Sequence, residues 1–137
     1  MASQLKVDTL TGVTTAGSID VTGEGNSTTT NLQQGLCKQW IKFSSANHST
    51  ADSFNTTSIT DNGTADTTIT IANDMASANY SIGALATDYH VHEKDYNGTD
   101  ATATLYRLYT FLVSSTNGST TANEEDRVYA HIFGDLA

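Results

Sequence analysis

DSFNTTSITDNGTADTTITIAND, residues 52–74, decides the fold class. The stretch is dense in serine and threonine, and threonine is β-branched, which suits strands. Two runs, Ser53–Thr60 and Thr67–Ala72, read as strands on either side of DNGTAD. An Asn-Gly pair between two such runs is a strong hairpin signal. The stretch therefore predicts a β-hairpin with Asp61-Asn62-Gly63 at its tip.

The two strands of this hairpin differ in their apolar pattern. Ile69 and Ile71 alternate with threonines, so they share one face, which we expect to be buried. Phe54 and Ile59 have opposite parity in the first strand. A strand of this kind either carries a bulge or is covered on both faces.

The strand pattern recurs at short intervals on both sides of the hairpin. WIKF (40–43) is a short apolar run, and Asn79–Ala86 alternates with Tyr80, Ile82 and Ala84 on one face. LYRLYTFLV (105–113) and RVYAHIF (127–133) are apolar on both parities. Such a strand is central in its sheet, or one of its faces meets a partner. The spacing predicts an all-β fold, an antiparallel β-sandwich or jelly-roll-like domain. We assign Tyr106 and Leu108 to an oligomer contact.

The first third of the chain has a different character. Residues 1–30 are small, polar and punctuated by glycine, and predict an extended N-terminal arm that serves anchoring or oligomerisation. Thr30 and Gln33 fit a capping box, so one short helix is expected at about 31–39. Its face would carry Leu32, Gly35 and Leu36, and two helical turns are marginal alone. We therefore expect these three residues at an oligomer contact, or docked onto the β domain at 31–137, whose strands run from 40 on.

Composition excludes several function classes. The chain has 137 residues, a net charge of -9 and only six Lys and Arg, so nucleic acid is not an expected partner. No apolar run reaches the ~18 residues of a membrane span, so no membrane insertion is expected. Cys37 is the single cysteine, which excludes an internal disulfide.

Few residues suggest chemistry. His90 and His92 share a strand face, which is the geometry of a metal site, one that several chains could complete; the alternative is two exposed histidines at a loop edge. Asp95–Asp100 has oxygen ligands but lacks the EF-hand spacing, so we read it as a polar loop. Glu124-Glu125-Asp126 follows loop-like composition and is expected to be solvated, and Cys37 to be a small buried residue on the helix. We expect no enzyme activity and no cofactor.

A tyrosine set offers one further candidate site. Its members are aromatic residues of the C-terminal half that would stack on sugar rings if they shared a surface. The set consists of Tyr89, Tyr96, Tyr106, Tyr109 and Tyr129. The alternative for these side chains is packing in the core and in interfaces.

Two longer segments stand out as motifs, LQQGLCKQWIKF (32–43) and DSFNTTSITDNGTADTTITIANDMASANYSI (52–82). They resemble a module found in structural proteins of tailed bacteriophages, especially marine ones, in tail fibres and fibre-like virion proteins. The family form is similar, with a Leu-Gln-Gly-Leu-x-Lys-x-Trp segment, then Asp-Ser-Phe-Asn-x-Ser-Ser-Ile-Thr-Asp-Asn-Gly-Thr-Gly, a strand, Met and Ala-Asn-Tyr. Ala65-Asp66 stands where Gly-Asp is usual, and Cys37 where a small residue is common. The resemblance covers roughly Ser3 to Ile82 and leaves the C-terminal third unmatched.

The resemblance implies a virion component, assembled in the host cytoplasm. It implies a homotrimer whose N-terminal arm docks to other virion proteins of the capsid, collar or tail, with the β domain exposed for contact with a host surface glycan. The expected function is thus a structural appendage protein, a fibre, spike or decoration component. The alternative is a carbohydrate-binding, lectin-like module, which would be a monomer with affinity for sugars.

Overall fold

A computed structural model describes residues 4–12, 19–22, 29–93 and 101–137. Within these ranges the chain forms strands and a single four-residue helix. In chain order they are β1 (Asp20–Thr22), β2 (Thr29–Asn31), α1 (Leu32–Gly35), β3 (Cys37–Ser44), β4 (Ser49–Phe54), β5 (Thr56–Gly63), β6 (Asp66–Ile71), β7 (Ser81–Ala86), β8 (His90–Glu93), β9 (Leu105–Val113), β10 (Thr120–Ala122) and β11 (Val128–Phe133).

The strands form three antiparallel sheets. β1 and β2 pair as a small separate ribbon. A front sheet has the order β4-β3-β11-β7. A back sheet has the order β10-β9-β6-β5, and β8 pairs with the opposite edge of β9. The predicted all-β antiparallel sandwich with one short helix is confirmed. The boundary predicted between arm and domain at residue 30 stays a prediction.

The core lies between the front and back sheets. Every second residue of their central strands points inward, as the two-residue period of a strand requires. Each such side chain contributes roughly 1.5–3 kcal/mol when it is fully buried. The buried apolar cluster consists of Ile41, Phe43, Ile69, Ile71, Met75, Ala86, Tyr106, Leu108, Val128, Ala130 and Ile132.

Asn55 carries the chain from the front sheet to the back sheet. β4 and β5 belong to different sheets and are separated by this one residue, whose φ is 55°. Its Nδ2 donates to the carbonyls of Lys38 and Asn73 at 2.9 and 3.2 Å, and its Oδ1 accepts from the Asn73 backbone N–H at 2.6 Å. Asparagine tolerates this left-handed conformation better than most residues. The segment predicted as one strand thus changes sheet at Asn55, and the predicted bulge lies between Thr56 and Ser58, so both features separate Phe54 from Ile59.

The predicted hairpin is present, but its tip is displaced. β5 continues through Gly63, and the turn is made by Thr64 and Ala65, so the tip predicted at Asp61-Asn62-Gly63 is wrong. The Asn-Gly pair lies in a β-bulge, where Oδ1 of Asp61 accepts from the Gly63 N–H at 2.7 Å. Ile69 and Ile71 are buried on one face as predicted.

The helix is shorter than predicted. α1 ends at Gly35, and its cap is Asn31, whose Oδ1 accepts from the Gln34 N–H at 3.0 Å. The predicted helix to residue 39 is wrong because β3 begins at Cys37 and pairs with both β11 and β4. Two long ladders outweigh an isolated helix of two turns. Cys37 is consequently a half-buried residue at the start of a strand and does not lie on a helix face.

Thr67 offers a stabilising substitution. Thr67 lies on β6, and its side chain points into the core between the sheets. Its buried Oγ1 has no hydrogen-bond partner among the described residues. A buried hydroxyl without a partner costs roughly 1–3 kcal/mol. We expect Thr67→Val, which keeps the branched shape, to raise the free energy of unfolding by about 1 kcal/mol. Urea unfolding of both proteins at one concentration measures this; a lower free energy would mean that the hydroxyl is satisfied.

Two tyrosine hydroxyls, one on the half-buried Tyr80 and one on the buried Tyr106, donate hydrogen bonds within the sandwich. Tyr80 Oη donates to the carbonyls of Thr102 and Leu105 at 2.8 and 3.1 Å. Burial, with the nearby Glu93 carboxylate, raises the pKa of Tyr80 to about 12. Burial also raises the pKa of Tyr106, whose Oη donates to Oε1 of Gln39 at 2.9 Å. Both groups therefore favour the neutral phenol in the folded chain.

Alkaline pH is expected to destabilise the chain from about pH 10 upward. Between the unfolded pKa and the raised folded pKa, the unfolded state has released both protons and the folded state has kept them, so stability falls as pH rises. Below about pH 10 both states bind the protons and this contribution is complete. Chemical unfolding followed between about pH 8 and 12 measures the slope. Tyr80→Phe should flatten it, and an unchanged slope would assign the loss to other groups.

Candidate interaction surfaces

The outer face of the front sheet carries a set of exposed aromatic and aliphatic side chains. The strand register places them side by side: Phe54 pairs with Trp40, Tyr129 pairs with Leu85, and Phe133 follows Tyr129 by four residues on β11. Leu85 is 66% exposed and Trp40 39%. We call this set, Trp40, Phe54, Leu85, Tyr129 and Phe133, the aromatic face. A contiguous exposed apolar patch marks a site of interaction.

Polar side chains lie between and beside these rings. Nζ of Lys42 lies 5.7 Å from the Tyr129 ring centroid, a cation–π arrangement, and Asp52 is its cross-strand neighbour. The His131 imidazole lies over Gly83, where an added Cβ would come within 2.5 Å of Nε2. Glycine at this position leaves room for the His131 ring, which is in edge contact with Phe133. The face therefore combines apolar and polar side chains.

The sequence contained a signal for the aromatic face that the strand assignment did not use. Trp40 and Lys42 have the opposite parity to the buried Ile41 and Phe43. On β11 the exposed Tyr129, His131 and Phe133 alternate with buried residues. The double-sided pattern of RVYAHIF was recognised, but parity alone does not say which set faces the core. The back sheet, which packs against one face of β11, decides this.

A ring cluster occupies the outer face of the back sheet. His90 and His92 share this face, as the sequence predicts, and they pair with Phe111 and Tyr109 on β9. The His92 ring lies 5.0 Å from that of Phe111 and 5.5 Å from that of Tyr109. Within the described ranges no three His, Cys, Asp or Glu side chains converge as metal ligands. A metal site shared between chains stays a prediction.

Two predicted oligomer contacts lie in the wrong place. Tyr106 is 0% exposed, and Leu108 beside it is also buried; both pack inside the chain's own core. The assignment was wrong because β9 is apolar on both parities, and it is the other parity, with Leu105, Tyr109 and Phe111, that faces outward. Tyr106 and Leu108 thus contribute to folding.

The remaining predicted contacts lie at the surface. Leu32 is half-buried, and Gly35 and Leu36 are exposed. Leu36 is the extended cap that follows α1, so the helical face predicted for the three residues does not exist. Whether they meet another chain stays a prediction.

The arm presents a second exposed apolar set. Residues 4–12 have no regular secondary structure and form no backbone hydrogen bond to any other described residue. Leu5 is 80% exposed, and Val7 and Leu10 are also exposed. Because these leucine and valine side chains are exposed, they do not stabilise the fold of their own chain. Farther along the arm, Asp20–Thr22 forms a short strand.

The tyrosine set does not form one surface. Tyr106 is buried, Tyr109 lies on the back sheet and Tyr129 on the front sheet. Tyr96 and the Asp95–Asp100 loop lie outside the described residues. The described tyrosines of this set therefore do not form one sugar-stacking surface.

Glu125 corrects the prediction of a solvated carboxylate run. It is buried, and its carboxylate accepts from the backbone N–H groups of Asp88 and, at 3.4 Å, Arg127. Its own N–H donates to Ser45 Oγ at 2.7 Å. The carboxylate thus joins two loops at one end of the sandwich. A local sequence of loop composition gives no sign of Asp88 and Ser45, which are distant in sequence.

No helix among the described residues has the length and apolar character to cross a membrane.

No family model, no curated protein and no solved structure matches the chain.

Proposed function

We propose that the chain is a structural subunit of a tailed-phage virion appendage, a fibre, spike or decoration component. It assembles as a homotrimer, docks by its N-terminal arm to other virion proteins, and does no chemistry. The observation that carries the proposal is the aromatic face, because a soluble monomer rarely exposes so many neighbouring large apolar side chains. The resemblance of residues 32–43 and 52–82 to virion proteins supplies the biological setting.

The arm supports an assembly role independently. Its leucines and valine lie in water in the single chain, and a second surface is needed to bury them. Assembly accounts for both exposed apolar sets.

The oligomeric state tests the proposal directly. Light scattering of the purified full chain is expected to give three times the 14.5 kDa chain mass at micromolar concentration. Antibody labelling of phage particles in electron micrographs should then mark one appendage. A monomer, or an antibody that leaves the particles unlabelled, would overturn the proposal.

The second candidate is a carbohydrate-binding module. Trp40 beside Phe54 and Tyr129 favours it, because flat aromatic rings stack on sugar rings and polar neighbours such as Asp52 can bond to hydroxyls. Titration of a monomer with bacterial surface polysaccharide, followed by Trp40 fluorescence, distinguishes the two. Saturable binding by a monomer would favour the module.

A further inference from the structure

We propose that the arm of one copy, residues 4–12, lies on the aromatic face of a second copy. The inference rests on the proposed function, because it requires that the chain associates with itself. It gives residues 4–12 to the contact between copies, so docking to other virion proteins falls to the rest of the arm. It assigns the two exposed apolar sets to each other. Each copy thus contributes its arm to one neighbour, and its own aromatic face is covered by the arm of another copy.

The arm has the pattern of a strand that buries one side. In an extended chain Leu5 and Val7 point the same way, while Lys6 and Asp8 point the opposite way. Leu5 and Val7 can therefore face a sheet while Lys6 and Asp8 stay in water. The exposure of Leu5, Val7 and Leu10 shows that the arm's own chain does not supply that sheet.

The aromatic face has matching properties. Its exposed rings and Leu85 lie on the four neighbouring strands of the front sheet. Leu5 and Val7 of an extended segment can therefore both be buried against it.

The symmetry of the proposed assembly favours this pairing over two faces packed together. A patch that packs on its own copy gives a twofold dimer, whereas two different patches can close a ring of three subunits. The arm and the aromatic face are two such patches on one chain. A homotrimer therefore needs the kind of contact that they provide.

Trp40, the only tryptophan, reports on the face. In the full-length oligomer we expect it to be protected from acrylamide quenching. The double variant Leu5→Ser/Val7→Ser should expose it and weaken association by about a hundredfold or more, since two apolar side chains lose their burial. The matched control Thr9→Ser/Thr11→Ser removes one methyl group at each position, keeps the hydroxyls and should behave as the parent. None of these four residues packs in the core, so the variants should fold.

Cross-linking tests whether the contact joins two copies. In a Cys37→Ser background, one protein carries Val7→Cys and another carries Leu85→Cys. Mixed and oxidised, they should form a disulfide between the two kinds of chain. The control replaces Leu85→Cys by Leu112→Cys, which lies on the back sheet, and should give several-fold less product.

The outcomes separate the inference from the proposed function. A wild-type monomer overturns both. An oligomer that survives Leu5→Ser/Val7→Ser with Trp40 still protected overturns the inference alone, because another surface then covers the face. A protein with Val7→Cys and Leu85→Cys in one chain that forms only an internal disulfide overturns the exchange between copies. Mixed disulfides with loss of Trp40 protection in the arm variant support the inference.

Discussion

Replacing Tyr106 by alanine is expected to lower the free energy of unfolding by about 3–5 kcal/mol. Tyr106 is the largest of the fully buried side chains, and it lies between the two sheets. The substitution loses the transfer free energy of the ring and leaves a cavity that the surrounding strands fill only in part. Urea unfolding at a fixed protein concentration, followed by circular dichroism, measures the change.

The hydroxyl adds a smaller contribution that can be measured separately. Tyr106 Oη donates to Oε1 of the buried Gln39, whose Nε2 donates to Oγ1 of Thr56 at 2.8 Å. Tyr106→Phe leaves that Oε1 without its donor, and an unpaired buried acceptor costs roughly 1–3 kcal/mol. The phenylalanine variant should therefore lie between the parent and the alanine variant.

Tyr109 provides the matched control on the same strand. It lies three residues further along β9 and faces outward, stacked with Phe111 at 6.2 Å. Tyr109→Ala removes a partly exposed ring and should cost less than about 1.5 kcal/mol. If Tyr106→Ala instead leaves folding unchanged and dissociates the oligomer, Tyr106 belongs to the contact that the sequence pattern predicted.

The sequence predicted the parts of the fold that depend on local period. Alternation at Ile69 and Ile71 identified the buried face of β6, and the turn composition after Asp61 identified the hairpin, although not its tip. These signals are local because side-chain direction in a strand follows from its two-residue period. His90 and His92 were placed on one face for the same reason.

The predictions that were wrong concern features that depend on contacts between residues far apart in sequence. Strand β9 is apolar on both parities, and only the front sheet, opposite it, decides that Tyr106 faces inward. Asn55 changes sheets through bonds to Lys38 and Asn73, which no local pattern connects. Glu125 likewise is buried by partners on other loops. The two-residue period of a strand predicts which side chains share a face. Only packing against the opposite sheet decides which of the two faces is buried.

The Asp66–Arg107 pair carries the second large expected effect. Nε and Nη2 of Arg107 donate to the two carboxylate oxygens of Asp66 at 3.1 and 2.7 Å, and Asp66 is 4% exposed. A two-point bond of this kind is among the stronger ion pairs. Arg107→Met removes the cation and leaves a buried carboxylate, so we expect a loss of about 3 kcal/mol, the lower end for a broken buried pair.

A double-mutant cycle separates the pair from its surroundings. Asp66→Asn alone leaves the guanidinium without its charge partner, and Asp66→Asn/Arg107→Met removes both charges. The double variant should lose less than the sum of the single losses, because neither charge is then buried alone. Additive losses would mean that the two side chains act independently.

The contact between His48, in the turn that joins β3 and β4, and Asp61 on β5 is the control for screening, and it is an ion pair when the imidazole is protonated. Its atoms lie 3.5 Å apart, and the Asp61 side chain is well exposed. Asp61→Asn keeps the Oδ1 that accepts from Gly63 and should cost under about 1 kcal/mol, a loss that salt reduces further. The Arg107→Met loss should persist at about 1 M salt, because a buried pair is screened much less than an exposed one. A loss that vanishes with salt would show that water reaches the Asp66 carboxylate, and the buried-charge argument would then fail.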